Sequence, residues 1–588
     1  MVHPNDIPLW PEAVPKTIDY PEIPLFENLD RSVEDFPDNI ALVLETTSFD
    51  KIAKVTYREV GELTDKFSAF LVDQGVMPGD KIAVFLPNMI EFVIAYYGIL
   101  KAGAIVVSLN FQYPVNELVG LLQQSDTKGI VCADMISPGS PPTKPYETCK
   151  IVRDQGSTSL EFIVVASVKQ YLSRIKGFLG SLAGKISKKD PRDFYMHEIY
   201  EKYDANQRPK VDISPEDVAV IMFTGGTTGT PKGAMLTHKN LVANTKQCSV
   251  WMQPAPERGT TVGIGSLPFY HSYGATTAMN LGVMYGVMGI LMLDPRENNF
   301  TQILYLLDKY KVQIFNTVPA LYIALLNHPN LKDYDLSSLL VSSSGAAPLP
   351  LAVLKEYEQI TGANLSEGYG LTETSPVSHS NPMAAAPGYE KPLKKEGSIG
   401  IPYPDTDCII VDVETGIKKL GPNEEGEIAI HGPQVMLGYY GKPEETKEVM
   451  REIDGKKYFL TGDIGKYDED FYFYVTDRKK DMIAVGGFKA YPREIEDFLI
   501  SHPKISNAAC IGVPHPKLGE TVKVFIVPKA NEELTKAEVL KYCRENLVKY
   551  KQPHDEESIE FRTELPMTQV GKVLRRALKV EEETKRAA

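Results

Sequence analysis

The sequence is poor in the features that staple secreted domains or anchor membrane proteins. Its 588 residues include six cysteines, Cys132, Cys149, Cys248, Cys408, Cys510 and Cys543, and none forms a close pair. Neither a zinc ribbon nor a disulfide framework is therefore expected, and the thiols read as inert in a reducing compartment. No run approaches 18 uninterrupted apolar residues. The longest candidate, Leu281 to Leu293, is too short to span a bilayer and reads as buried core. The start, Met1-Val2-His3-Pro4-Asn5-Asp6, lacks the charged head and apolar stretch of a signal peptide. Positive charge is outweighed: 63 Lys and Arg face 77 Asp and Glu, a net of −14. That balance disfavours nucleic acid as a partner of the surface as a whole. The expected location is cytoplasmic.

What is present points to a large globular enzyme. A chain of this length exceeds one ordinary domain, and 43% apolar with 9% aromatic residues supplies a substantial core. Strands and helices alternate over most of the first 400 positions. Lys81 to Leu86 reads as a buried strand, Glu91 to Lys101 as an apolar helix, and Ala104 to Leu109 as the next strand. Such alternation predicts an α/β fold with parallel-rich sheets covered by helices. From about Gly397 to Phe473 short strands and Gly/Pro/Asp turns predict a small β subdomain. A charged knot, Asp477-Arg478-Lys479-Lys480-Asp481, follows. The domain boundary is placed there, giving an N-terminal domain over 1–477 and an α+β C-terminal domain over 478–588. No internal repeat is visible, and Pro138 to Pro145 reads as a surface loop.

The run Phe223-Thr224-Gly225-Gly226-Thr227-Thr228-Gly229-Thr230-Pro231-Lys232-Gly233 carries the strongest chemical signal. A buried strand, Val218 to Phe223, leads into it. Glycines let a ligand approach the backbone closely, and successive N–H groups can form an anion nest. Threonine hydroxyls and the Lys232 cation complete a polyphosphate site. The run lacks the Gly-Lys-Ser/Thr ending of a Walker A motif, which weakens kinase and ordinary ATPase readings. The next helix is expected later, with Thr237 as its N-cap.

A second signal is Leu365-Ser366-Glu367-Gly368-Tyr369-Gly370-Leu371-Thr372-Glu373-Thr374-Ser375. Tyr369 offers a face on which a planar base can stack, and the Glu373 carboxylate can hold Mg²⁺ against phosphate oxygens. Thr461-Gly462-Asp463, alone only a turn, stands just before the charged knot. Leu565-Pro566-Met567-Thr568-Gln569-Val570-Gly571-Lys572 lies near the end.

Taken in order and spacing, these runs closely resemble the adenylate-forming superfamily, which includes acyl-CoA synthetases, firefly luciferase and peptide-synthetase adenylation domains. The similarity extends from about Val55 to Arg576. It implies ATP, Mg²⁺ and coenzyme A as cofactors and co-substrates, with a carboxylic acid as substrate. Thr224, Gly225, Gly226, Thr227, Thr228, Gly229, Thr230 and Lys232 would hold the β and γ phosphates. Gly345, Ala346 and Ala347 would lie along adenine and Tyr369 would stack on it. Asp463 and Arg478 would bind the ribose. Thr372 would approach the α-phosphate, and Glu373 with Thr228 would ligate Mg²⁺. Lys480 sits at the hinge position, and Gly486-Gly487 match the turn that passes the pantetheine arm. Lys572 is the expected catalytic lysine, bridging the substrate carboxylate and the α-phosphate. The family pattern is departed from at Gly225, Ala484 and Met567.

The segment Leu267 to Gly274 aligns with the family's acid-binding edge. Its His271 stands where amino-acid-activating relatives carry an aspartate, so an α-amino acid is disfavoured and His271 joins the catalytic candidates. The Gly/Ala/Met-rich stretch from Gly274 to Gly289 suits either a tunnel or tight packing. Residues 168–189 place Val168, Tyr171, Leu172, Ile175, Leu179, Leu182 and Ile186 on one helical face with lysines and Arg174 around it, and no acid. That pattern predicts a helix lying on anionic lipid, hence peripheral membrane contact. The expected reaction is activation of a medium- or long-chain fatty acid to acyl-AMP and acyl-CoA. Ligation of a short or hydroxylated acid, and loading of a separate carrier protein, stay open, as does homo-oligomer formation.

Overall fold

The computed structural model describes residues 2–46, 49–135, 144–224, 231–255, 257–293, 300–530, 532–567 and 573–587. Two parallel-rich sheets dominate the first 400 positions. One has eight strands in the order Gly438–Tyr439, Lys232–Thr237, Val218–Thr224, Ile105–Ser108, Lys81–Phe85, Thr127–Ala133, Phe162–Ala166 and Phe194–Tyr195. Its neighbours are parallel except around Lys232–Thr237, which pairs antiparallel on both sides. The other sheet has nine strands, with Val262–Gly265, Ile314–Thr317, Val341–Ser344 and Asn364–Gly370 in parallel succession. The helix Ile90–Lys101 is buried along its whole length and shares one core with strands of both sheets. Burial on every side explains why its sequence shows no polar stripe.

A small antiparallel sheet follows, ordered Asp407–Val411, Gly426–His431, Lys456–Tyr467 and Met450–Ile453, with Phe473–Arg478 against Lys456–Tyr467. The last sheet, built from Ile483–Val485, Phe488–Ala490, Ile505–His515, Gly519–Pro528 and Ile559–Phe561, packs Pro492–Ile500 and Lys536–Asn546 on its own core. The architecture is the α/β fold with a small β subdomain and a separate α+β C-terminal domain that the sequence predicts.

Local signals hold in several places. Thr237 caps the helix His238–Trp251 with a capping box to Asn240. The apolar run Leu281 to Leu293 is a helix, Leu281–Tyr285, followed by the strand Met288–Leu291.

The single amphipathic face expected over 168–189 is corrected. A 3-10 turn, Val168–Tyr171, stops at Leu172, and a separate helix, Arg174–Leu182, begins after the Ser173 N-cap. Val168, Tyr171 and Ile186 are buried, whereas Ile175, Leu179 and Leu182 are 55–73% exposed. Tyr171 is drawn inward by its hydroxyl bond to the buried Glu91 carboxylate at 2.7 Å. Helical periodicity put inward anchors and outward residues on one stripe because it carries no information about this break. Phe178, 66% exposed, joins the outward set.

Candidate active site

A cavity of about 980 Å³ opens where the strands Val218–Thr224, Val341–Ser344 and Asn364–Gly370 end. Ligands of open α/β sheets bind at such carboxyl ends. The volume stands at the upper end of the range for a single ligand.

One end of the cavity gathers the nucleoside candidates. Gly345, Ala346 and Ala347 border it directly after the strand Val341–Ser344. A Cβ at Gly345 would stand 3.1 Å from the Tyr273 ring, so the strip stays thin there. Ala346 holds a φ of 70°, an uncommon conformation for a residue with a Cβ. The Tyr369 hydroxyl donates to Asp463 Oδ2 at 2.7 Å, and Arg478 Nε stands 3.1 Å from Asp463 Oδ1. Burial, and next the Asp463 charge, push the Tyr369 phenol well above its ordinary range, so it stays a donor. Asp463 owes its aim to Gly462, whose φ of 73° sits where the strand Lys456–Tyr467 shifts register against Gly426–His431. This is a bulge that only glycine tolerates cheaply. The buried Glu427 fixes the bulge: it accepts Gly462 N–H at 3.0 Å and Lys479 Nζ at 2.8 Å.

The other polar end gathers the phosphate candidates. Thr224 and Lys232 face each other across the paired strands that flank the Gly/Thr run, and both border the cavity. The run itself, Gly225, Gly226, Thr227, Thr228, Gly229 and Thr230, lies outside the described residues. Lys232 Nζ stands 5.0 Å from the Tyr439 ring centre, and Tyr439 donates its hydroxyl to Glu373 Oε1 at 2.8 Å. The chain of contacts brings Lys232 and Glu373 together. Glu373 is 8% exposed, and burial raises its pKa above the usual carboxylate value. A cation beside it would offset that cost, so a buried carboxylate facing a phosphate site fits Mg²⁺ shared with phosphate oxygens. Among the described residues no three His, Cys, Asp or Glu cluster to hold an ion by themselves. Thr372 Oγ1 lies 3.4 Å from Ser272 Oγ, which joins the acid-edge segment to this end. His271 borders the cavity, and its Nδ1 accepts Tyr273 N–H at 3.2 Å as a helix cap. The imidazole is thus also a structural element.

The C-terminal domain reaches the same cavity with charge. Lys480, Arg493, Val573 and Arg575 line it. Arg493 N–H donates to Asp477 Oδ2 at 2.7 Å, crossing from the helix Pro492–Ile500 to the small β sheet. Arg575 binds Asp481 Oδ2 at 3.0 Å and Glu496 Oε1 at 2.9 Å. Lys572 lies outside the described residues, but its neighbour Val573 borders the cavity. The Gly486-Gly487 turn is exposed and does not line it.

Three contributors escaped the sequence reading. Glu367 sits within its motif with no role assigned by the sequence, yet it is buried, lines the cavity, and burial raises its pKa to about 7. Tyr439 and Glu427 stand 66 and 35 residues from their partners Glu373 and Gly462. Only tertiary pairing brings them there.

Comparison with known proteins matches this arrangement. Residues 29–440 fit the AMP-binding enzyme family and residues 494–572 fit the AMP-binding enzyme C-terminal domain, a match that ends at Lys572. A long-chain-fatty-acid–CoA ligase of Bacillus subtilis (strain 168) is 41% identical, covering 98% of this chain and 97% of its own. A ligase of the same name from Escherichia coli O157:H7 is 34% identical, with 96% and 97% covered. The ATP-bound structure of MatB from Rhodopseudomonas palustris superposes with a TM-score of 0.76 at 27% identity, covering 95% of this chain and 99% of that one. On the strength of both domain matches and near-complete coverage, the chain belongs to the AMP-binding enzyme family.

Proposed function

We propose that this protein is an AMP-forming acyl-CoA ligase that activates a medium- or long-chain fatty acid. The observation that carries the reading is the joining of a nucleoside end, Tyr369–Asp463–Arg478, to a phosphate end, Lys232–Glu373, in one cavity. ATP spans the two, with Tyr369 on the base, Asp463 accepting from the ribose hydroxyls, and the Gly/Thr run between Thr224 and Lys232 taking the β and γ phosphates. Glu373 and Thr228 would hold Mg²⁺, which supplies charge neutralisation along the polyphosphate.

The acid enters past His271. Its carboxylate oxygen attacks the α-phosphorus, the bond from that phosphorus to the bridging oxygen breaks, and pyrophosphate leaves with the electron pair. Lys572, carried on the C-terminal domain, stabilises the charge that gathers between carboxylate and α-phosphate. In the second step the CoA sulfur attacks the acyl carbon, its proton is released, and AMP leaves. The boundary for this movement is placed at 477/478, with Lys480 as hinge and Gly486-Gly487 as the pantetheine turn. The exposure of that glycine pair away from the cavity is what a first-step arrangement requires. The test is AMP release with CoA across straight-chain acids from C2 to C18. A maximum at C10 or longer is expected; activity confined to C2–C4 acids would contradict the assigned substrate.

A specific observation favours contact with lipid. The helix Arg174–Leu182 is pinned at one end by buried Val168 and Tyr171 and at the other by buried Ile186, leaving Ile175, Phe178, Leu179 and Leu182 outward. Lys169, Arg174, Lys185 and Lys188 surround this apolar patch, while Lys176 lies 3.9 Å from Asp50 and Lys189 pairs with Glu198. An apolar wedge in a basic rim matches an anionic bilayer surface. Sedimentation with phosphatidylserine vesicles is expected for the wild type and lost in Ile175→Glu/Leu182→Glu; equal sedimentation of both would refute the contact.

A further inference from the structure

The cavity has a second arm, and it is apolar. The strands Val341–Ser344 and Asn364–Gly370 run parallel, with Val341 opposite Asn364. Their carboxyl ends lead to Gly345 and Tyr369 at the nucleoside end. At their amino ends, Val341 lines the cavity, and so does Met383, whose carbonyl accepts from Asn364 Nδ2 at 2.5 Å. With a rise of about 3.3 Å per residue, Val341 stands about 13 Å from Gly345, and Asn364 about 17 Å from Tyr369. The arm therefore runs down the sheet, away from the phosphates.

Its far wall is aromatic and solid. Trp251, at the last turn of His238–Trp251, lines the cavity with Met252, Leu281 and Tyr403. The Trp251 ring lies 4.7 Å from that of Tyr403 on one side and 5.6 Å, edge-on, from Trp10 on the other. Its Nε1 donates to the Asn381 carbonyl at 3.2 Å, which fixes the indole in place. Polar groups nearby serve the protein itself: Asn381 Nδ2 donates to the Ser398 carbonyl and Trp10 Nε1 to the Val14 carbonyl, both at 2.7 Å. An apolar arm so finished suits an alkyl chain.

We infer that Trp251, backed by Trp10, is the stop that sets the longest acyl chain this protein accepts. The inference rests on the acid-activating reading above. A straight saturated acid that reaches the indole fills the arm, and each further methylene meets Trp251.

The test is acid-dependent pyrophosphate release over even-numbered acids from C6 to C18, for wild type, Trp251→Ala and Cys248→Phe. Cys248 lines the cavity one helical turn before Met252. Trp251→Ala is expected to move the optimum longer by at least two carbons and to raise the C18-to-C12 ratio at least about tenfold. Cys248→Phe is expected to move it shorter, and it carries the test if Trp251→Ala does not fold. Profiles unchanged in active variants overturn the Trp251 stop alone. Wild-type protein that releases pyrophosphate with none of the acids overturns the underlying reading, and the stop with it.

Discussion

The two sides of the cavity are built differently. On the large-domain side polar groups are held by a second group of their own domain: Tyr369 on Asp463, Tyr439 on Glu373, Glu427 on the Gly462 bulge. On the C-terminal side the charges are held mostly by one another, with Arg575 set between Asp481 and Glu496. The bonds that cross gather at the boundary: Arg478 on Asp463, Lys479 on Glu427 and Arg493 N–H on Asp477. The difference separates two tasks. Binding ATP calls for groups fixed before the ligand arrives, whereas delivering a cation only during attack calls for a domain whose contacts can be exchanged.

The comparison breaks most visibly at Lys572. Lys572→Ala is expected to lower acid-dependent pyrophosphate release by about 10²–10³, on the order of 3–4 kcal/mol, with little change in the KM for ATP. A large rise in that KM at near-normal turnover would instead place Lys572 among the fixed binding groups. Asp463→Ala tests the opposite side. Losing a charged acceptor held by Tyr369 and Arg478 is expected to raise the KM for ATP about 10- to 100-fold, and kcat less.

The smallest effect belongs to Glu367. Its pKa is raised by burial to about 7, so the folded state holds the proton more tightly than the unfolded chain. The stability this contributes is full below the unfolded value near 4.5 and is lost as pH rises through about 7. Glu367→Gln removes that titration. Its unfolding free energy is expected to fall less between pH 5 and pH 8 than that of the wild type, by on the order of 2 kcal/mol, read as a smaller drop in melting temperature. Parallel melting curves for the two proteins would remove Glu367 from the buried titrating groups.

The sequence was most legible where function is written in contiguous residues. The hairpin end at Thr224 and Lys232, the Tyr369–Glu373 turn and the Thr461-Gly462-Asp463 bulge each sit within a few positions, because a turn geometry demands specific residue types there. The Thr237 cap was legible for the same reason. Pairings across the fold were not. Tyr439 reaches Glu373 only through the antiparallel placement of Gly438–Tyr439 beside Lys232–Thr237. The stretch 168–189 misled because its period is helical on both sides of a break, while its burial is decided by Glu91, some 80 residues away. Trp10 and Trp251 share the same lesson: their contact joins positions about half the large domain apart.

The central claim is that chemistry occurs at the α-phosphate, with a carboxylate as the nucleophile. Exchange of labelled pyrophosphate into ATP, measured without CoA and with or without a C12 acid, tests it most directly. Exchange that depends on the acid and proceeds without CoA is the expected result. Exchange independent of the acid, or formation of ADP and phosphate in its place, would contradict it.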